Sequence, residues 1–228
     1  MERLLLLLTL LCGSYAQRQD LTERVFTFPL DKGTPHVKLT ANIQKPITAM
    51  TLCLRFHTDL TRTQSLFSLA TPSHASALTL FKSSVSGYKL HINGDSLAVH
   101  GQPDIMDEWN SVCWTWDSST GLTALWVNGK RSVRQVLQKN GSVDNRVSII
   151  LGQEQDAFGR GFQQNQSFIG DMADVHLWDS VIVPCQIRHY MEGNDFVAGN
   201  LLNWKDLQYT ITGTVYVESS DFDKLSCY

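Results

Sequence analysis

Apolar and polar residues alternate with a period of two in most of a series of short runs spread along the chain. The runs 25–28 (VFTF), 36–39 (HVKL), 50–56 (MTLCLRF), 78–81 (LTLF), 88–92 (YKLHI), 111–116 (SVCWTW), 123–127 (TALWV), 147–151 (VSIIL) and 173–178 (ADVHLW) have strand character. Side chains of an extended strand point alternately to its two faces, so the pattern predicts sheets with one buried face. Asn93-Gly94 and Asn128-Gly129 fall between such runs and read as tight hairpin turns. One segment has helical spacing: Pro184 opens it, Ile187, Tyr190 and Met191 share a face, and Gly193 closes it. Many strands, one helix and no strand–helix–strand alternation predict an all-β fold, a two-sheet antiparallel jelly-roll sandwich of lectin-like type with one short α-helix. No repeat or Pro/Gly-rich linker divides the chain, and one domain is expected over residues 17–228.

The N-terminus breaks this pattern. Arg3 precedes an apolar core from Leu4 to Leu11, interrupted only by Thr9, and Ser14-Tyr15-Ala16 offers a cleavage site. Residues 1–16 therefore read as an export signal. The core is shorter than the roughly 20 apolar residues a bilayer span needs. A secreted, extracellular protein without a membrane span is expected. The formal charge of −3 and the lack of a Lys/Arg run argue against nucleic acid or anionic membrane as partner.

Loss of the signal removes Cys12 and leaves Cys53, Cys113, Cys185 and Cys227. Four cysteines in an oxidising compartment imply disulfides, with three pairings open. Cys53 and Cys113 lie inside strand-like runs, each expected to point inward, where a bridge would staple two strands of the core. Cys185, at the helix start, and Cys227, beside the C-terminus, are left for a second disulfide, with each other or with another subunit. Asn140-Gly-Ser142 and Asn165-Gln-Ser167 are sequons for N-glycosylation.

The densest candidate chemistry lies between Ile149 and Ser167. Glu154 and Asp156 begin the Glu-x-Asp-x-x-Glu pattern of some jelly-roll glycosidases, but Gly159 stands where the second catalytic acid is required. No GxSxG elbow, HExxH pair or phosphate-cradling loop occurs elsewhere. No enzyme is expected. Carboxylates and amides in a glycine-rich loop instead suit a hard cation, which takes six to eight oxygens.

The segment Ser111-Val-Cys-Trp-Thr-Trp-Asp-Ser118 resembles the short pentraxin signature His-x-Cys-x-Ser/Thr-Trp-x-Ser/Thr. Cys113, Thr115, Trp116 and Ser118 match, while Ser111 replaces the histidine. The runs 26–29, 67–68, 149–156, 166–170, 175–179 and 202–204 also look like pentraxin segments, so the resemblance covers nearly the whole mature chain. It implies a jelly-roll protomer with a Cys53–Cys113 disulfide, assembled into a flat homo-oligomeric ring, usually of five. It also implies calcium on one face, holding carbohydrate or phosphate-bearing ligands, and a complement-type effector on the helix-bearing face.

Position by position, the resemblance assigns calcium to the side chains of Glu154, Asp156 and Gln166 and to the main-chain carbonyl of Gln155. Gln163 keeps a carbonyl oxygen where the family often has an acid. Ala75-Ser76 stands where the family has Asp-Asn, so two carboxylates remain where the pattern has four, and one or two weaker calcium ions per subunit are expected. Phe81 matches the apolar floor of the choline pocket. His91 replaces a small threonine and Ser96 an acid, which favours a carbohydrate or phosphomonoester over phosphocholine. Asn128 stands for an aspartate on the effector face. The expected function is calcium-dependent pattern recognition in innate immunity; the alternative is a structural or adhesive ring with a degenerate calcium site.

Overall fold

A computed structural model describes residues 18–220; the export signal and Cys227 lie outside the described residues. Sixteen strands are formed: β1 (Arg18–Gln19), β2 (Arg24–Phe28), β3 (His36–Thr40), β4 (Ala49–His57), β5 (Gln64–Ala70), β6 (Leu78–Ser84), β7 (Gly87–Ile92), β8 (Asp95–Val99), β9 (Asn110–Asp117), β10 (Leu122–Val127), β11 (Lys130–Arg131), β12 (Gln135–Val136), β13 (Ser148–Leu151), β14 (Gly170–Trp178), β15 (Leu207–Thr212) and β16 (Tyr216–Ser219). The first sheet has the order β1-β15-β3-β13-β5-β6-β7-β8 and the second β11-β10-β9-β4-β14-β2-β16, with β12 also on β10. Neighbouring strands run antiparallel, as in the register Cys53↔Cys113 of β4 on β9.

Alternation sets the core. Met50, Leu52, Leu54 and Phe56 of β4 and Val112, Trp114 and Trp116 of β9 face Leu66, Leu69, Leu78, Leu80, Tyr88 and Leu90 of the first sheet. Each buried indole keeps its N–H bonded: Trp114 Nε1 donates to Thr123 Oγ1 at 2.7 Å and Trp116 Nε1 to the Leu137 carbonyl at 2.9 Å. Such rings remove roughly 150–250 Å² each from water without stranding a donor. Both expected hairpins form, with φ of 48° and 89° at Asn93-Gly94 and 46° and 84° at Asn128-Gly129. Paired positive φ values carry a twist that matches the flanking strands.

The helix α1 (Pro184–Glu192) ends at Gly193, whose φ of 73° lets its N–H return to the last turn. It covers the outer face of the second sheet. There Ile187 and Tyr190 pack with Trp178 and with the Cys53–Cys113 disulfide. The bridge thus forms between the expected cysteines, but it does not point into the sandwich. Cys53 follows Leu52 and precedes Leu54, so when those leucines face the core the cysteine faces the helix. Cys185 is exposed at the start of α1 and has no disulfide partner among the described residues.

Candidate functional site

The segment from Gly152 to Ile169 leaves β13 and returns into β14 across the outer face of the first sheet. Gln155 pins it. Its buried amide nitrogen donates to the carbonyls of Ser68 and Ser148, both at 3.0 Å, and its Oε1 accepts from Gly159 N–H at 2.9 Å. The side chain is spent on folding the loop, which leaves the Gln155 main-chain carbonyl as its donor to a cation. Farther along, Arg62 pairs with Asp31 at 2.8 Å and donates to the Ser167 carbonyl at 2.7 Å, and Ser167 Oγ donates to Asp31 at 2.9 Å.

Between these anchors stand the two acids. Glu154 is 4 % exposed and Asp156 is exposed. Burial raises the Glu154 carboxyl above the usual range and the neighbouring Asp156 charge adds to the rise, against a hydrogen bond from Ser76. Ser76 Oγ donates to Glu154 Oε1 at 3.0 Å. Gly161, with φ of 87°, lies so close that a Cβ there would meet Asp156 Cβ at 2.8 Å. Gln163 Nε2 donates to Asp156 Oδ2 at 2.5 Å, so this amide presents nitrogen to the acid rather than oxygen. Gln166 Oε1 is buried and lacks a hydrogen-bond partner among the described residues.

This donor set fits a hard cation. Burial and the Asp156 charge make the Glu154 anion costly, and among the described residues a buried amide oxygen of Gln166 is left without a donor, each of which a divalent ion relieves. The set is lean: among the described residues no group of three or more His, Cys, Asp or Glu is placed to hold a metal. Ala75 lines an open cleft of about 500 Å³ with Thr71, Ser73, Asp156, Phe158 and Arg160, and contributes no side-chain oxygen.

The expected ligand floor lies on the same sheet face. Ser68, Thr79, His91 and Ser96 form one cross-strand row from β5 to β8. Phe81 is 5 % exposed, and the His91 ring sits 5.6 Å from it in an edge-on arrangement. Burial and the nearby Lys89 lower the His91 pKa, so the imidazole stays neutral to a lower pH than an ordinary histidine. Both sequon asparagines, Asn140 and Asn165, are exposed. On the helix side, Asn128 Nδ2 donates to Asn110 Oδ1 at 2.8 Å and to the Pro103 carbonyl at 3.0 Å.

Sequence reasoning missed Ser76 as a partner of Glu154, and Asp31 and Arg62 as anchors of the loop. These residues lie far from the loop in sequence, and no local pattern marks them.

The comparisons agree with this architecture. The chain is 41 % identical over 221 residues to C-reactive protein of Sus scrofa, covering 96 % of this chain and 98 % of that protein. It is 39 % identical over 227 residues to serum amyloid P-component of Mus musculus, covering 98 % and 100 %. The structure of a native heptameric SAP-like pentraxin from Limulus polyphemus superposes with a TM-score of 0.80 at 22 % identity, over 88 % of this chain and 97 % of that one. The profile of the Pentaxin family matches residues 24–219, and the chain belongs to that family.

Proposed function

We propose that this protein is a secreted, oligomeric pattern-recognition molecule that binds carbohydrate or phosphate-bearing ligands through calcium. Its relatives, C-reactive protein and serum amyloid P-component, are non-enzymatic recognition proteins. One observation carries the calcium reading: a buried Glu154 beside Asp156, with the orphaned oxygen of Gln166, on one exposed loop. Glu154, Asp156, Gln166 and the Gln155 carbonyl would hold the ion. Bound calcium supplies a positive centre to which ligand hydroxyl or phosphate oxygens attach.

A homo-oligomer is supported by the family and by the heptameric Limulus relative; the resemblance suggests a ring of five. Repetition would let weak single sites bind repeated ligands, because linked sites gain effective concentration. Among the described residues no helix is long and apolar enough to cross a membrane. The N-terminal pattern of residues 1–16 supports secretion. Glycans would fit at Asn140 and, at the cost of crowding Gln166, at Asn165. The helix face is the proposed side for a complement-type effector.

The second reading, an adhesive ring with a degenerate calcium site, is favoured by Ala75 and by the nitrogen that Gln163 turns toward Asp156. Loading the protein on immobilised phosphoethanolamine or agarose in calcium and eluting with a chelator separates the two. Release by chelator supports calcium-bridged binding. Retention through the chelator wash, or failure to load together with no heat on titrating millimolar calcium, overturns it.

A further inference from the structure

Two tight turns line the open cleft of about 500 Å³ beside Asp156. We infer that this cleft takes an anionic group carried on a saccharide, a sulfate, phosphate or carboxylate, and that Arg160 selects it. The inference deepens the ligand reading above and rests on it for placing the ligand beside the 152–169 loop.

One turn is 157–160. Ala157 and Arg160 exchange both main-chain hydrogen bonds at 3.0 Å, and Gly159 supplies a φ of 75° at the tip. The Gly159 N–H donates to the buried Gln155 side chain at 2.9 Å, which fixes the tip to the floor of the loop. The other turn is 71–74, closed by the Thr71 N–H to the His74 carbonyl at 2.8 Å and by the return bond at 3.3 Å. Ser76, two residues farther on, ties this turn to Glu154 at 3.0 Å. Both walls are thus set before a ligand arrives, which lowers the ordering cost of binding.

The charge in the cleft favours an anion. Arg160 is exposed, and its guanidinium has no hydrogen bond or ion pair among the described residues. Asp156 is the one acid among the described residues that line the cleft, and Gln163 already donates to its Oδ2. Ala75 stands where the family resemblance puts an aspartate, so the 71–75 wall carries no carboxylate and offers the exposed Ser73 hydroxyl instead. A guanidinium fork bonds two oxygens of a sulfate, phosphate or carboxylate in parallel, a match that a neutral sugar hydroxyl lacks. Phe158, 37 % exposed, also lines the cleft, and Arg146 lies over its ring at 5.7 Å from the centroid. The ring provides an apolar plate for the carbon face of a saccharide next to the anion. Calcium acts in the same sense: bound at Glu154 and Asp156, it would cancel the negative charge nearest Arg160.

Isothermal titration of the full secreted chain with galactose, galactose 6-sulfate, galactose 6-phosphate and galacturonic acid, in calcium and in chelator, tests this on wild type, R160A and R160K. The Arg160 side chain bonds to no described residue, so R160A retains the fold, and an unchanged melting temperature in chelator confirms it. Wild type is expected to bind at least one of the three anionic sugars about ten-fold more tightly than galactose, and the anion that shows this names the source. R160A should bind that sugar no better than galactose, with its affinity for galactose unchanged. R160K should recover part of the preference, because an ammonium keeps the charge and loses the fork. Added salt should weaken the preference of wild type and leave the residual binding of R160A unmoved. A wild type that does not distinguish the anionic sugars from galactose, or an R160A that keeps the preference, overturns the inference. Calcium uptake with the preference intact in R160A overturns this inference alone, whereas an Arg160-dependent preference without calcium uptake supports it and overturns the calcium reading alone.

Discussion

Replacing Asp156 by Asn separates a calcium ligand from a structural acid. Without calcium, the substitution removes repulsion between Asp156 and the buried Glu154. Two unit charges about 4 Å apart repel by about 1 kcal/mol in water and about 4 kcal/mol at an effective dielectric of 20. Asp156 is exposed, so the lower figure applies. Against this gain stands the weakened hydrogen bond from Gln163, also worth about 1 kcal/mol. The two cancel, and the calcium-free melting temperature of D156N should stay within about 2 °C of wild type. With calcium the variants diverge. A two-carboxylate site at the weak end of extracellular calcium modules has a Kd of about 1 mM, so 10 mM calcium stabilises wild type by about 1.4 kcal/mol. For a chain of this size that raises Tm by roughly 3–6 °C. A ten-fold weaker D156N site would gain only about 0.4 kcal/mol, or roughly 1 °C. Differential scanning calorimetry in chelator, in calcium and in magnesium reads all of this. A full calcium shift in D156N, no shift in wild type, or a calcium-free loss above 5 °C in D156N would refute the reasoning.

Three further outcomes are expected. The raised Glu154 pKa means its ionised form is disfavoured in the calcium-free fold. Stability there is greatest below the ordinary carboxylate value of 4.5 and declines as pH rises through the raised one. Calcium must displace that proton, so the calcium-induced Tm shift should shrink between pH 7.5 and pH 5, and S76A, which loses a contact that favours the anion, should move this window upward. Removing the Cys53–Cys113 bridge, whose cysteines are 60 residues apart, with C53A/C113A should cost about 4 kcal/mol by loop entropy, seen as a Tm lower by roughly 8–16 °C. D104N strands the buried ammonium of Lys82, whose side chain is 4 % exposed, and should cost about 3–5 kcal/mol in urea unfolding. K82M/D104L should recover most of that loss, and a double variant no better than D104N would show that the pair is not the cause.

The strands that one buried face defines were legible, because β4, β6, β7 and β9 have core residues at alternate positions. β5 carries no such pattern. All seven of its residues are buried, the core on one side and the 152–169 loop on the other, so no polar face remains to reveal the period. β15 and β16 lack the pattern for the opposite reason, since all but one of their residues are exposed or half-buried and apolar residues no longer keep step along them. The orientation of the disulfide was legible in principle. Parity along MTLCLRF places Cys53 opposite Leu52 and Leu54, so a single core cannot take both the leucines and the bridge. The helix builds a second one.

For the site, legibility follows sequence distance. Glu154, Gln155, Asp156 and Gln166 lie within one loop, and their donor chemistry can be read from the string. What that chemistry amounts to depends on contacts the string does not order. Ser76 stands 78 positions from Glu154, yet its hydroxyl donates to that carboxylate. Ala75-Ser76 stands where the family has Asp-Asn, and the fold keeps one side-chain oxygen there, a neutral hydroxyl in place of a charged or amide group. A hydroxyl stabilises the Glu154 anion without adding negative charge of its own. The calcium-free loop therefore suffers less repulsion than a four-carboxylate site would, and for the same reason it attracts a divalent ion less strongly. Weak calcium binding and a stable calcium-free loop would then both follow from the same residue. S76D should reverse both together, lowering the calcium-free Tm while tightening calcium; a change in only one would show that Ser76 does not set the balance.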